Sequence, residues 1–289
     1  MKSSTLARYD ERSDEIPITP SSEVWRSMSR AARDAHIEAV HAALERTADL
    51  MSQGRPHSTA KMSAVSVLGD FFERVGRRIY LAAELPVLYP GEPAFEPDVI
   101  AVRDVPDPGL ADLRRAWQVT EEGRGPDLAL EILYLGSREK DLVTNVARYA
   151  RLGIPEYFVY DRLKQRLYGY RLPTPDATQY VSIPSRSSRL WSGVLELELG
   201  IADGRLRFFY GEAVVPESRE LMARLDALLD QKERQIEEES AARREAEQRA
   251  DAEREARSRV EALLEEQRAR AAELEARVAE LLAKLAEPR

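Results

Sequence analysis

Two acidic side chains sit in stretches that otherwise read as buried strand. Asp98 lies in Glu96-Pro97-Asp98-Val99-Ile100, and Glu131 in Asp127-Leu128-Ala129-Leu130-Glu131-Ile132-Leu133. Both stretches are rich in Val, Ile and Leu and are bounded by Pro and Gly, the pattern of a short strand covered on both faces. A carboxylate left alone in such a strand is costly, so each acid must find a cationic partner or share a cation. If the two strands are neighbours, both side chains converge on one divalent metal ion. Phosphodiester cleavage needs charge stabilisation on the phosphate oxygens and an activated water. A magnesium ion, or manganese in its place, held by Asp98, Glu131 and the backbone carbonyl of Ile132 supplies both. Glu84 offers a third carboxylate from a neighbouring strand; a salt bridge to Arg77 or Arg78 is its equally weighted alternative.

The elements that must position these residues follow from periodicity. A polar arm, 1–21, carries Pro17 and Pro20. A helix is expected from Ser22 towards Met51, broken by Gly54-Arg55-Pro56. A second carries Met62, Val65, Leu68, Phe72 and Val75 at helical spacing, with Gly76 as its stop. Strands are expected at 78–87, 96–100, 127–133, 156–161, 166–170, 179–183, 194–199 and 206–210, with Gly204 turning the last hairpin. A helix from Glu139 to Leu152, closed by Gly153, follows the Glu131 strand, and 104–125 reads as a mobile polar loop. Helices first, then strands broken by one helix, predict an α/β class: an α+β mixed sheet flanked by helices over 22–212, with its motif core at 78–161.

From Pro216 the composition changes. Ala, Glu, Arg and Leu dominate, and no glycine or proline occurs up to Ala286. A 3-4 spacing runs unbroken from Met222, Leu225 and Leu229 to Val278, Leu281 and Leu285, apolar at both ends and charged in the middle. A sustained seven-residue period predicts a long C-terminal α-helix, 217–287, that self-associates as a left-handed coiled coil. The alternative is a solvated single helix held by Glu–Arg pairs.

The 289 residues contain no cysteine, which excludes disulfides, zinc–thiolate sites and cysteine nucleophiles. The net charge of −8 argues against wholesale attraction to nucleic acid but leaves room for a local basic groove. Arg114, Arg115, Arg124, Arg138, Lys140, Arg148 and Arg151 are the candidates to line one. His36 and His41 are poorly spaced to share a metal on one helix, and with His57 they read as surface or structural. No apolar run suggests a membrane span, and Met1-Lys2-Ser3-Ser4 lacks the apolar core of a signal peptide, so cytoplasmic residence is expected.

Four segments in order carry a family resemblance: Glu96-Pro97-Asp98-Val99, then Leu130-Glu131-Ile132-Leu133, then Asp141 to Tyr149, then Gly153-Ile154-Pro155-Glu156-Tyr157-Phe158-Val159-Tyr160-Asp161. Over about 75–200 the chain resembles the Uma-type restriction endonuclease family of the PD-(D/E)XK nuclease superfamily. The resemblance implies a restriction endonuclease-like core with a magnesium-dependent nuclease site, Asp98 matching the motif aspartate and Glu131 the motif glutamate. Many superfamily members place a lysine two residues after that glutamate; here stands Leu133. Uma-type proteins typically carry it midway between an aspartate and a tyrosine on the following helix, which maps to Asp141, Asn145 and Tyr149. Asparagine can orient a water but cannot take its proton or carry positive charge. Lys140, at the start of that helix, is the nearest lysine. The leading expectation is a DNA endonuclease in which Asp98 and Glu131 ligate the metal, Glu84 assists, and Lys140 or Asn145 positions the water. The alternatives are a catalytically weak or inactive relative serving as an oligomeric nucleic-acid-binding or protein-interaction module, and a scaffold whose function lies in the helical arm.

Overall fold

The computed structural model describes residues 16–47, 55–106, 108–109, 112–134 and 138–286, with 55–57 and 280–286 described by backbone alone. Residues up to Glu220 form one compact unit and those from Leu221 onward a second. Most of the expected polar arm, the His57 side chain and the expected break at Gly54 lie outside what is described. Residues 16–20 are packed: Thr19 N–H donates to Glu92 O at 2.9 Å, and Gly91 N–H donates back to Thr19 O at 2.8 Å.

The expected first helix is two. Helix α1 (Ser22–Ser27) ends where Met28 turns extended, and α2 (Arg30–Thr47) restarts after Ser29, whose hydroxyl accepts from Ala32 N–H at 3.2 Å. Serine caps free amides at a helix start, so Ser29 favours a new N-terminus over continuation. Helix α3 (Arg55–Arg74) closes at Gly76, where Arg77 N–H reaches back to Phe72 O at 2.9 Å. Its inward face is Lys61, Ala64, Leu68 and Phe72; Met62 and Val75, expected inside, are 59% and 54% exposed.

The central sheet has the order β1 (Ile79–Ala83), β3 (Val99–Arg103), β5 (Leu128–Leu133), β6 (Glu156–Asp161), β7 (Arg166–Arg171), β8 (Val181–Ser182). Only β5 and β6 run parallel, and the helical run 138–151 is their crossover. That run opens as a π-helical turn (Lys140–Thr144) and continues as α5 (Asn145–Arg151). A second, antiparallel sheet is built from β9 (Leu190–Ser192), β10 (Leu197–Ala202), β11 (Arg205–Tyr210) and β12 (Ala213–Val214). The expected strand 194–199 is thus displaced to 197–202, and β9 and β12 were not expected. Asp203 and Gly204, both at positive φ, make the tight turn between β10 and β11.

Two further departures matter for the site. The expected strand 78–87 stops at Ala83, because Glu84 adopts φ 51°, and resumes only as β2 (Val87–Leu88). The expected loop 104–125 contains β4 (Trp117–Gln118), parallel to β2, and α4 (Val119–Glu122). Trp117 is fully buried and its indole N–H donates to Arg124 O at 2.9 Å, so residues 116–125 are anchored.

Alternation along the strands divides the core. Val99, Ala101, Leu128, Leu130 and Phe158 face α3 and the second sheet; Ile100, Val102, Ala129, Leu133 and Val159 face Tyr149 and Tyr157 on the other side. In the second unit, α6 (Ser218–Ala286) runs unbroken through the segment expected to be helical.

Candidate active site

The register of the central sheet brings the acids together. β3 and β5 pair Val99 with Leu130, so one step outward Asp98 stands opposite Glu131 on the same face. β1 and β3 pair Ala83 with Val99, which sets Glu84 opposite Asp98, and Glu84 N–H donates to Asp98 O at 3.2 Å. Glu84 just past the end of β1, Asp98 just before β3 and Glu131 within β5 therefore line up at one end of the sheet.

Glu131 is nearly buried and fully used: its Oε2 accepts Asp98 N–H at 3.3 Å, and its Oε1 accepts the Tyr149 hydroxyl at 3.0 Å and Asn145 Nδ2 at 3.4 Å. Asp98 Oδ2 accepts Ile132 N–H at 2.7 Å, leaving Oδ1 towards Lys61, whose Nζ is 3.7 Å away and also pairs with Glu84. Asn145 Nδ2 donates to Asp141 Oδ1 as well, at 3.2 Å. The four-residue spacing of Asp141, Asn145 and Tyr149 does put all three on the inner face, each buried. The π-helical turn lies at that face, a distortion frequent at functional sites.

The electrostatics are those of crowded acids. Burial pushes the Glu131 carboxyl well above the usual carboxylate range, and the neighbouring Asp98 and Asp141 push it further. Glu96 is lifted to about 7, first by burial and then by Glu84. Lys140 acts in the opposite sense on both Glu96 and Glu131, so its charge does face the cluster. Burial raises the Tyr149 phenol as well, which keeps it a proton donor to Glu131.

The donor set fits a hard divalent cation. Asp98 and Glu131 supply carboxylate oxygens at a place where like charges oppose one another and a cation would relieve them. Leu133 O accepts Arg162 N–H on the β6 side; since neighbouring residues of a strand face opposite edges, the Ile132 carbonyl faces the edge where Asp98 lies. Among the described residues no group of three or more His, Asp or Glu side chains is poised to hold an ion, so the set is two carboxylates plus backbone. Glu84, half exposed and held by Lys61, stands beside that pair. It pairs with neither Arg77 nor Arg78; Arg77 instead meets Glu196 and the carbonyls of Val194 and Leu195.

The residue that sequence reasoning missed is Lys61. Its signal was present: Lys61, Ala64, Leu68 and Phe72 form one helical stripe, and a lone lysine in an apolar stripe is as conspicuous as a lone acid in an apolar strand. The expected basic lining, by contrast, is largely engaged within the fold. Arg114 holds Glu122, Arg115 holds Glu38, Arg124 holds Asp127, Arg138 holds Asp161, Arg151 holds Glu92, and Arg148 lies over the Phe95 ring. Two of the histidines are structural: His36 packs edge-on against Trp25, and His41 bonds Arg115 O at 2.8 Å.

The model of the Uma2 family, described as "Putative restriction endonuclease", matches residues 38–208, more than half of the chain. A crystal structure described as a putative nuclease belonging to DUF820 from Anabaena variabilis ATCC 29413 is 17% identical, covers 50% of this chain and 75% of that one, and superposes with a TM-score of 0.38. No curated protein matches the chain. No helix among the described residues is long and apolar enough to cross a membrane.

Proposed function

We propose, since the chain belongs to the Uma2 family, that it is an endonuclease hydrolysing phosphodiester bonds in DNA with magnesium, or manganese, at the Asp98–Glu131 pair. The observation that carries this reading is the convergence of Asp98, Glu131 and Lys61 at the end of β3 and β5. When bound, the ion supplies Lewis-acid stabilisation of a phosphate oxygen and acidifies a water. Asp98, Glu131 and the Ile132 carbonyl would hold it.

The remaining work falls to side chains. Tyr149 and Asn145 fix the Glu131 carboxylate through its Oε1, so it presents one orientation without reorganising. Lys61 supplies the positive charge that Leu133 and Asn145 cannot, standing beside Asp98 where a phosphate oxygen or an attacking water would lie. Lys140 adds charge from the other side, and Glu84 holds Lys61 in place. Asn145 orients Glu131 rather than a water. Outside this unit, the exposed apolar residues of α6, Leu225, Leu229 and Ile236 among them, are the surface through which the chain self-associates.

A plasmid-nicking assay with magnesium tests this reading. Wild type should nick, and Asp98→Ala and Glu131→Ala should not; equal cleavage by all three would reject the site. The neutral Asn145 favours a second reading, in which the same fold binds nucleic acid or protein with little or no catalysis. No nicking by wild type, together with retained DNA binding, would select it.

A further inference from the structure

We propose that α6 pairs with a second copy of this chain in antiparallel orientation, centred on Gln248. This rests on the self-association reading above and fixes its direction.

The seam of α6 carries charges at five inward positions of the heptad: Lys232, Glu239, Arg243, Glu253 and Arg257. In a parallel, in-register pair every seam residue meets its own copy, so lysine would face lysine, glutamate glutamate and arginine arginine at all five levels. Like charges opposed in a coiled-coil seam disfavour that arrangement. An antiparallel pair sets the first core position of one helix against the second of the other. Centred on Gln248, it places Glu239 opposite Arg257 and Arg243 opposite Glu253, each twice by symmetry. Ala246 then faces Ala250, Ile236 faces Val260, and Lys232 lays its aliphatic stem against Leu264 with its ammonium in solvent. A centre seven residues further on, at Glu255, pairs Glu253 with Arg257 but sets Glu239 against Ala271, Arg243 against Gln267 and Lys232 against Val278, and so leaves those three charges unmatched.

In the single chain these groups already turn to neighbours on their own helix. Arg243 holds Glu247 at 3.1 Å, Arg257 holds Glu253 at 2.8 Å, and Glu239 Oε1 accepts from Gln235 at 3.2 Å. All are solvated, so exchanging them for contacts across the seam requires little desolvation beyond that of pairing itself. The apolar seam residues on either side of the charged middle are unpartnered in the single chain: Leu229 is 53%, Ile236 61%, Val260 56% and Leu264 53% exposed. A second copy covers them. At 1.5 Å rise per residue the arrangement sets the two Leu221 residues about 80 Å apart along the arm.

The full chain lacks cysteine, so introduced thiols report alone. In the antiparallel pair Leu225 faces Ala271. The double variant Leu225→Cys with Ala271→Cys should form an interchain disulfide, and neither single variant should. Efficient disulfide formation by Leu225→Cys alone would show a parallel pair and overturn the orientation while leaving self-association standing. A monomer mass for wild type at tens of micromolar would overturn self-association itself. The charges give an independent readout by sedimentation. Glu239→Arg and Arg257→Glu should each weaken the dimer about tenfold, since each turns two attractive contacts repulsive. Combined, they should restore wild-type affinity; failure of that rescue would overturn the register.

Discussion

Lys61 Nζ lies 3.7 Å from Asp98 Oδ1 and at the same time pairs with Glu84, so a helix upstream of the sheet delivers the one lysine buried among the described residues to the acids at the ends of two adjacent strands. A buried ammonium is kept there only by its carboxylates. In the proposed reaction the same charge faces the phosphate.

Replacing Lys61 by methionine keeps the length and the apolar stem and removes the charge. Nicking should fall at least about a hundredfold, the scale of losing one electrostatic contributor in an active site. The far-ultraviolet spectrum should be unchanged. Unaltered nicking would reduce Lys61 to a structural ion pair.

Magnesium or calcium should raise the thermal midpoint of wild type, because an ion that binds only the folded chain stabilises it by about 2.7 kcal/mol at a hundredfold excess over its dissociation constant. Asp98→Asn and Glu131→Gln should lose that response. An equal shift in all three would place the ion elsewhere.

Asn145 lies between Glu131 and Asp141, both acids. Asn145→Lys would put a cation between them, and nicking should rise about tenfold or more if positive charge limits the rate. The gain should vanish in an Asp98→Ala background; a gain that persisted would point to a different site.

Glu156 ties β6 to the second sheet. Its carboxylate accepts from Ser192 Oγ at 2.5 Å, Gly193 N–H at 2.7 Å and Val194 N–H at 3.4 Å, and burial raises its pKa. Glu156→Ala strands these donors and should cost about 3 kcal/mol in a denaturant titration. A loss below about 1 kcal/mol would mean that water replaces the carboxylate.

Glu220 is held down to about 2 by its hydrogen bonds from Arg207 Nη1 and Nη2 at 2.6 and 2.7 Å. A depressed folded pKa contributes stability that is complete above the ordinary value of 4.5 and is lost as the pH falls towards 2. The difference in thermal midpoint between wild type and Glu220→Gln should therefore be constant above about pH 5.5 and shrink on acidification. A difference independent of pH would assign the effect to packing.

The sequence by itself determined the strand that carries Glu131, the inner face shared by Asp141, Asn145 and Tyr149, the closing turns at Gly76 and Gly204, and the unbroken terminal helix; the strand expected at 96–100 stands at 99–103, with Asp98 just before it. Each of these is written locally along the chain, by side-chain period, cap chemistry or the absence of a breaker. Only the tertiary structure decided that Asp98 lies opposite Glu131, since strand register depends on the whole sheet and a one-residue slip would turn one acid to the opposite face. It also decided that Glu84 meets Lys61 rather than Arg77 or Arg78, and that Trp117 anchors a segment whose composition reads as loop. Those contacts join segments remote in sequence, and no local preference specifies which distant charge or cavity a side chain will meet.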